Sequence, residues 1–234
     1  MQVRSRRQVL VAIGAAALAP ATAGCLPLGR PGEGERETGT VGSVAQALGP
    51  DGTTIVVGDP SAKLTVKLFE DPSCPACADF ETTGTGPRLL LMAAAGELQL
   101  QFALGSFLGS GSKRAVNALR AALDKGKFVD LHQAVYDGQA SAKRRGGFST
   151  NGLLDLAATI DGLRDGDFDD AVRTARHREF VEAADRALSA SWVRGTPSME
   201  VNGLPVKEGD RHVMDDSAAL RRYLKSAAER PPRR

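Results

Sequence analysis

The chain has 234 residues, 42% of them hydrophobic and 25% charged, which is enough apolar material for one or two packed domains and too much for a disordered segment. Its formal net charge of +2 is too small for a nucleic-acid footprint, and Arg4, Arg6 and Arg7 concentrate basic charge at the N-terminus. Without residues 1–24 the chain carries 27 basic against 28 acidic residues and is nearly neutral.

RSRR at residues 4–7 precedes the apolar run VLVAIGAAALA at 9–19, which leads into PATAGC. This is a signal peptide in outline, assigned to residues 1–24. The run of 11 residues falls short of the roughly 20 needed to cross a hydrocarbon core as a helix, so no permanent transmembrane anchor is expected. SRRQVL resembles a twin-arginine export signal, with Val9 where phenylalanine is more usual, and Sec export stays open. TAGC at 22–25 resembles a bacterial lipobox, with Thr22 in place of the usual leucine. That resemblance implies a lipidated Cys25 as mature N-terminus; the alternative is an ordinary small residue beside a cleavage site. Residues 25–51 are rich in glycine and proline with little apolar periodicity, and read as a lipidated end and a flexible tether.

TTIVVG (53–58) and LTVKLFE (64–70) read as strands, Pro75 to about Ala95 as helix interrupted near Gly84, Gly86 and Pro87, and LQLQFAL (98–104) as the next strand. Strand, helix, strand in that order predicts a βαβ crossover and a parallel pair at the centre of the sheet. The glycine-rich GSFLGSGS (105–112) reads as a connection into a helical section. Within that section, stripes include Ala115, Ala118, Leu119, Ala122 and Leu123, then Phe128, Leu131 and Val135 after a stop at Gly126. Leu153, Leu156, Ala157 and Ile160 form another; Phe168, Ala171, Val172 and Ala175, with Asp167 as expected cap, form a third. Phe180, Ala184, Ala187 and Leu188 complete the set, all read as core packing. SMEVNGLPVK (198–207) predicts two short strands turned at Asn202-Gly203, and Asp215 or Asp216 caps a terminal helix carrying Leu220, Leu224 and Ala227.

Cys74 and Cys77 enclose Pro75 and Ala76 in DPSCPACADF. Zinc would need four ligands, and no second Cys or His pair stands at short spacing; His132, His177 and His212 lie on separate segments, so no metal and no cofactor is expected. A permanent disulfide across two residues closes too small a loop to stabilise much. A redox pair explains the placement. At the end of a strand and the start of a helix, Cys74 would face unpaired N–H groups and the positive end of the macrodipole, which lowers a thiol's pKa. Pro75 suits the first helical turn, where its missing N–H has no partner to lose. Cys77, one turn in, would be the more buried, resolving thiol.

From Lys67 onward KLFEDPSCPACADF resembles the F-x-D-x-x-C-P-x-C-x-x-F signature of DsbA-type thioredoxin-fold proteins, carried by Phe69, Asp71, Cys74, Pro75, Cys77 and Phe80. AVNALRAALDKGKFVDLHQAVY (115–136) resembles that family's helical insertion, and WVRGTPSMEVNG (192–203) the segment carrying its cis-proline. The resemblance covers about residues 52–228. It implies an α/β thioredoxin-like fold with a central mixed sheet, formed by residues 52–112 and 192–230, and a helical insertion at 113–191. It also implies a cis bond at Thr196-Pro197, packed against the cysteines and offering the Thr196 backbone to an extended substrate; the alternative is an ordinary trans turn. Members commonly place a buried acid six residues before the first cysteine, for proton transfer. Here that position is Leu68; Glu70 or Asp71 is the alternative acid, although each is expected to be solvated or to satisfy loop amides, so the relay is unassigned. Ala76 stands where strongly oxidising members have histidine, which implies a less depressed Cys74 pKa than theirs. Trp192 is expected in the core beside the cis-proline loop, with direct substrate contact as the alternative, and Lys143, Arg144 and Arg145 in a solvated loop.

The expected activity is thiol-disulfide exchange on exported proteins or peptides at the outer face of a bacterial cytoplasmic membrane, with lipid anchoring and a redox partner protein there. Oxidation suits such a compartment, while isomerase and reductase directions stay open. The rival reading is a lipoprotein that binds peptides or a partner protein on the same scaffold without catalysis.

Overall fold

The computed structural model describes residues 44–229, and Cys25 with the expected signal peptide lies outside that range. Six strands, β1 (Gln46–Leu48), β2 (Thr54–Gly58), β3 (Thr65–Glu70), β4 (Gln99–Leu104), β5 (Ser198–Val201) and β6 (Leu204–Pro205), form one sheet in the order β1-β2-β4-β3-β5-β6. The central β3–β4 pair is parallel and the other pairs are antiparallel. Between β3 and β4 run α1 (Pro75–Thr82) and α2 (Gly86–Ala94), so the crossover helix is broken where the glycines stand. Between β4 and β5 run α3 (Ser110–Asp124), α4 (Phe128–Arg144), α5 (Thr150–Ala157), α6 (Gly166–Arg173) and α7 (Arg178–Ser189). A 3-10 helix (Glu208–Met214) and α8 (Ser217–Ala228) follow β6.

Alternation in β4, QLQFAL, buries Leu100, Phe102 and Leu104, and β3 buries Val66, Leu68 and Glu70 on the same period. Phe102 lies opposite Leu68 and meets Phe128 of α4 edge-on at 5.2 Å between ring centroids. Such large apolar side chains contribute about 1.5–3 kcal/mol each when buried. They seat α4 on the sheet at the end where β3 gives way to α1. Asn202 and Gly203 both have positive φ (50° and 73°) and close the β5–β6 hairpin.

Four expectations need correction. Gln46–Leu48, inside the supposed tether, forms edge strand β1 on β2, with Gln46 Nε2 donating to Gly126 O. Asp165, not Asp167, caps α6 by accepting from Phe168 N at 2.8 Å; Asp167 instead meets Arg176 and Lys125. Lys143 and Arg144 form the last turn of α4, where positive charge suits the helix end. Ala175 and Ala187 are exposed, and the apolar face of α7 includes Val181 instead.

Candidate active site

Asp71 shapes the turn between β3 and α1. Fully buried, its carboxylate accepts from Ser73 N (2.8 Å), Ser112 Oγ (2.6 Å) and Leu108 N (3.1 Å), and its carbonyl accepts from Cys74 N (2.9 Å). Cys74 is the N-cap of α1, with extended backbone (φ −76°, ψ 119°) and Pro75 in the first turn. From α4, the Gln139 side-chain amide donates to the carbonyls of Pro72 and Cys74, each at 2.8 Å. The loop is thus held from both sides. Pro75 and Ala76 are exposed, while Cys77 is fully buried and packs with Cys74 against Tyr136.

The two sulfurs are free thiols with opposite electrostatics. A hydrogen bond from Cys77 is the main influence on Cys74; further hydrogen bonds come from Thr196 and the N–H groups of Cys77 and Ala76. They hold the Cys74 thiol down at about 5, against some desolvation. Burial first, then that donation and the charge of Glu70, push the Cys77 thiol far up. Cys74 Sγ lies 3.3 Å from Thr196 O; the Thr196-Pro197 peptide is cis and Pro197 is buried. The structure therefore brings Cys74, Pro75, Ala76, Cys77, Thr196 and Pro197 together.

Under the cysteines lies a buried polar group of which the sequence reading named only Glu70, as an alternative acid, and none of its partners. Glu70 is fully buried: its Oε2 is 3.0 Å from His132 Nε2 and accepts from Tyr136 Oη at 3.3 Å. Glu81 stands across from it, and Glu70 Oε1 and Glu81 Oε1 are both buried without a hydrogen-bond donor, an arrangement that one proton shared between the two carboxyls would satisfy. Burial pushes the Glu70 carboxyl up to about 7, although hydrogen bonds with Glu81 and Tyr136 oppose it. Burial, then the charge of Glu70, raises Glu81 well above the usual carboxylate range, and burial lowers His132. Glu70 is thus not solvated; of the two acids, only Asp71 serves loop amides.

Period-2 geometry explains the placement. Leu68 and Glu70 share a face of β3, so an acid two residues beyond Leu68 still points beneath the cysteine pair. Helical spacing supplies the rest: Cys77 and Glu81 are one turn apart on α1, as are Phe128, His132 and Tyr136 on α4. Those spacings were the available signal. Ligand atoms of Glu70, Glu81 and His132 lie within 4.8 Å of one another, so these side chains are the group among the described residues that could hold a metal ion. Trp192 is 38% exposed rather than in the core: its ring meets Phe69 edge-on at 5.8 Å and its indole N–H donates to Glu200. A surface position lets the N–H find that partner.

The thioredoxin family model matches residues 50–221. The chain belongs to the thioredoxin family. Among solved structures, the chain is similar to oxidised BdbD from Bacillus subtilis, with 20% identity, 75% of this chain and 92% of that one covered, and a TM-score of 0.65. It is similar to oxidised DsbA of Mycobacterium tuberculosis at 24% identity, covering 81% and 94%, with a TM-score of 0.60. MdbA, a thiol-disulfide oxidoreductase from Actinomyces oris, matches at 20% identity over 75% and 86%, with a TM-score of 0.64. These likenesses establish the DsbA-like form of the fold, a thioredoxin-type mixed sheet with helices between β4 and β5. Comparison with curated proteins finds no match.

Proposed function

We propose that this family member is a thiol-disulfide oxidoreductase acting on exported proteins, with Cys74 as nucleophile, Cys77 as resolving thiol, and Thr196 and Pro197 positioning the substrate. The observation that carries the reading is the asymmetry of the two thiols: Cys74 is ionised near neutrality at a helix start, and Cys77 is buried and protonated. Pro75 and Ala76 set the electrostatics between them.

In the oxidising direction a substrate thiolate attacks Cys74 Sγ of the Cys74–Cys77 disulfide. The S–S bond breaks, Cys77 leaves with the electron pair and takes up a proton, and a mixed disulfide joins substrate to Cys74. Glu70, with its carboxyl near 7 and its charge felt at Cys77, is the proton donor for that step and the acceptor in reverse. A second substrate thiolate then attacks its own sulfur in the mixed disulfide and releases Cys74 as thiolate. The substrate loses two electrons and the protein gains them. A low thiol pKa makes Cys74 a good leaving group and stabilises the dithiol form, which favours oxidation of substrates. A redox partner protein at the membrane would restore the disulfide, and a lipidated Cys25 on its tether would keep the domain at the outer face.

The test is reactivation of reduced, unfolded ribonuclease, with insulin reduction run in parallel. Wild type should be active in at least the first assay and Cys74→Ser inactive, while Cys77→Ala accumulates mixed disulfides through Cys74. Equal behaviour of wild type and Cys74→Ser would overturn the proposal and leave a peptide-binding scaffold.

A further inference from the structure

Beyond Cys74, the cis-proline loop forms one wall of a cleft of about 470 Å³. Thr196 belongs to both: its carbonyl faces the Cys74 sulfur, and the residue lines the cleft mouth. The floor is apolar, formed by buried Met199 and Met214, and Trp192 stands at the side. The rim is basic. Arg194, Lys207 and Arg211 line it, against one acid, Glu208. Arg194 Nη1 donates to the carbonyls of Ser191 and Val193, which hold the guanidinium in place without neutralising it. Among the described residues no carboxylate lies within ion-pair distance of these three cations. The nearby Glu200 carboxylate is taken up by the Trp192 indole.

A substrate joined to Cys74 and lying along Thr196 would continue from the sulfur into this cleft, over its apolar floor and between unpaired cations. We propose that this cleft is the specificity subsite of the exchange reaction and takes an acidic segment of an extended polypeptide, flanking the reacting cysteine. The proposal rests on Thr196 being the substrate-positioning residue. Lys207 and Arg211 are the discriminating side chains: they attract carboxylates and repel basic segments, an effect that salt screens. No bond forms or breaks in the cleft itself, so its occupancy is measurable without any redox chemistry.

Trp192, the one tryptophan of the chain, reports on it. The experiment titrates Cys74→Ser protein with three short peptides in which serine replaces the cysteine: Asp/Glu-flanked, Lys/Arg-flanked and uncharged, following Trp192 fluorescence at low and at high salt. The acidic peptide should bind about tenfold tighter than either other, with the preference shrinking in high salt. Lys207→Glu with Arg211→Glu, both exposed and outside the packed core, should abolish or invert the preference with an unchanged melting temperature. Equal binding of the three peptides, no binding of any, tighter binding of the uncharged one, or indifference to charge reversal would overturn the proposal. A negative ribonuclease assay alongside a retained acidic preference would overturn the exchange activity and leave the cleft as a binding site for acidic peptides.

Discussion

The low pKa of Cys74 is assigned chiefly to the thiol of its own partner, and Cys77→Ala tests that assignment. Cys74 is held at about 5 where an ordinary thiol has 9.0, equivalent to about 5 kcal/mol in favour of the thiolate before water at the partly accessible sulfur screens some of it. A hydrogen bond to a charged acceptor contributes about 1.5–3 kcal/mol, so losing the Cys77 donor should raise the midpoint by about one to two pH units, to roughly 6–7. Cys77→Ser keeps an O–H in the same place and should leave the midpoint near that of wild type. The assay is the pH dependence of Cys74 alkylation by iodoacetamide, with the fully buried Cys77 contributing little. An unchanged midpoint in the alanine variant, or an equal rise in the serine variant, would refute the assignment and shift the cause to Thr196 and the helix N-terminus.

Glu70 has a folded-state pKa of about 7 against an ordinary 4.5, so between those values the folded protein holds a proton that the unfolded chain has released. The Glu70 contribution to stability should therefore fall by about 3 kcal/mol as pH rises across that window, against an opposite contribution from the depressed Cys74 thiol, and the difference between wild type and Glu70→Gln in denaturant titrations isolates it. Gln139→Leu strips two carbonyls, those of Pro72 and Cys74, of their donor and should cost about 1–3 kcal/mol in thermal denaturation while blunting the alkylation rate of Cys74. Gly84→Ala would place a methyl 2.8 Å from Phe80 O and 2.9 Å from Met214 O, both backbone atoms. It should destabilise by about 1–3 kcal/mol, measured as a lowered melting temperature.

Much of the molecule is legible without coordinates. The alternation of QLQFAL, the Asn202-Gly203 turn and the strand-helix-strand order predict the sheet, and a cysteine before Pro75 at a helix start predicts which thiol ionises, because each depends on a few neighbouring residues. Local signals failed where the partner was distant. Gln46–Leu48 reads as tether because three residues have no strand signature until β2 offers them an edge. Trp192 reads as core until the surface Glu200 takes its N–H.

Local pattern sufficed for the central strands, the crossover and the dithiol motif. What lies under that motif depends on packing between distant segments. Glu70, Glu81, His132 and Tyr136 come from a strand end and two helices up to 66 residues apart, and each alone reads as an ordinary polar position. Their chemistry comes from burial together, since a carboxyl keeps its proton near neutrality only where water is excluded and a second carboxyl stands close enough to share it. The basic cleft has the same origin: Arg194 stands before β5, Lys207 and Arg211 lie at the start and within the 3-10 helix after β6, and folding around the cis-proline loop turns them into one surface.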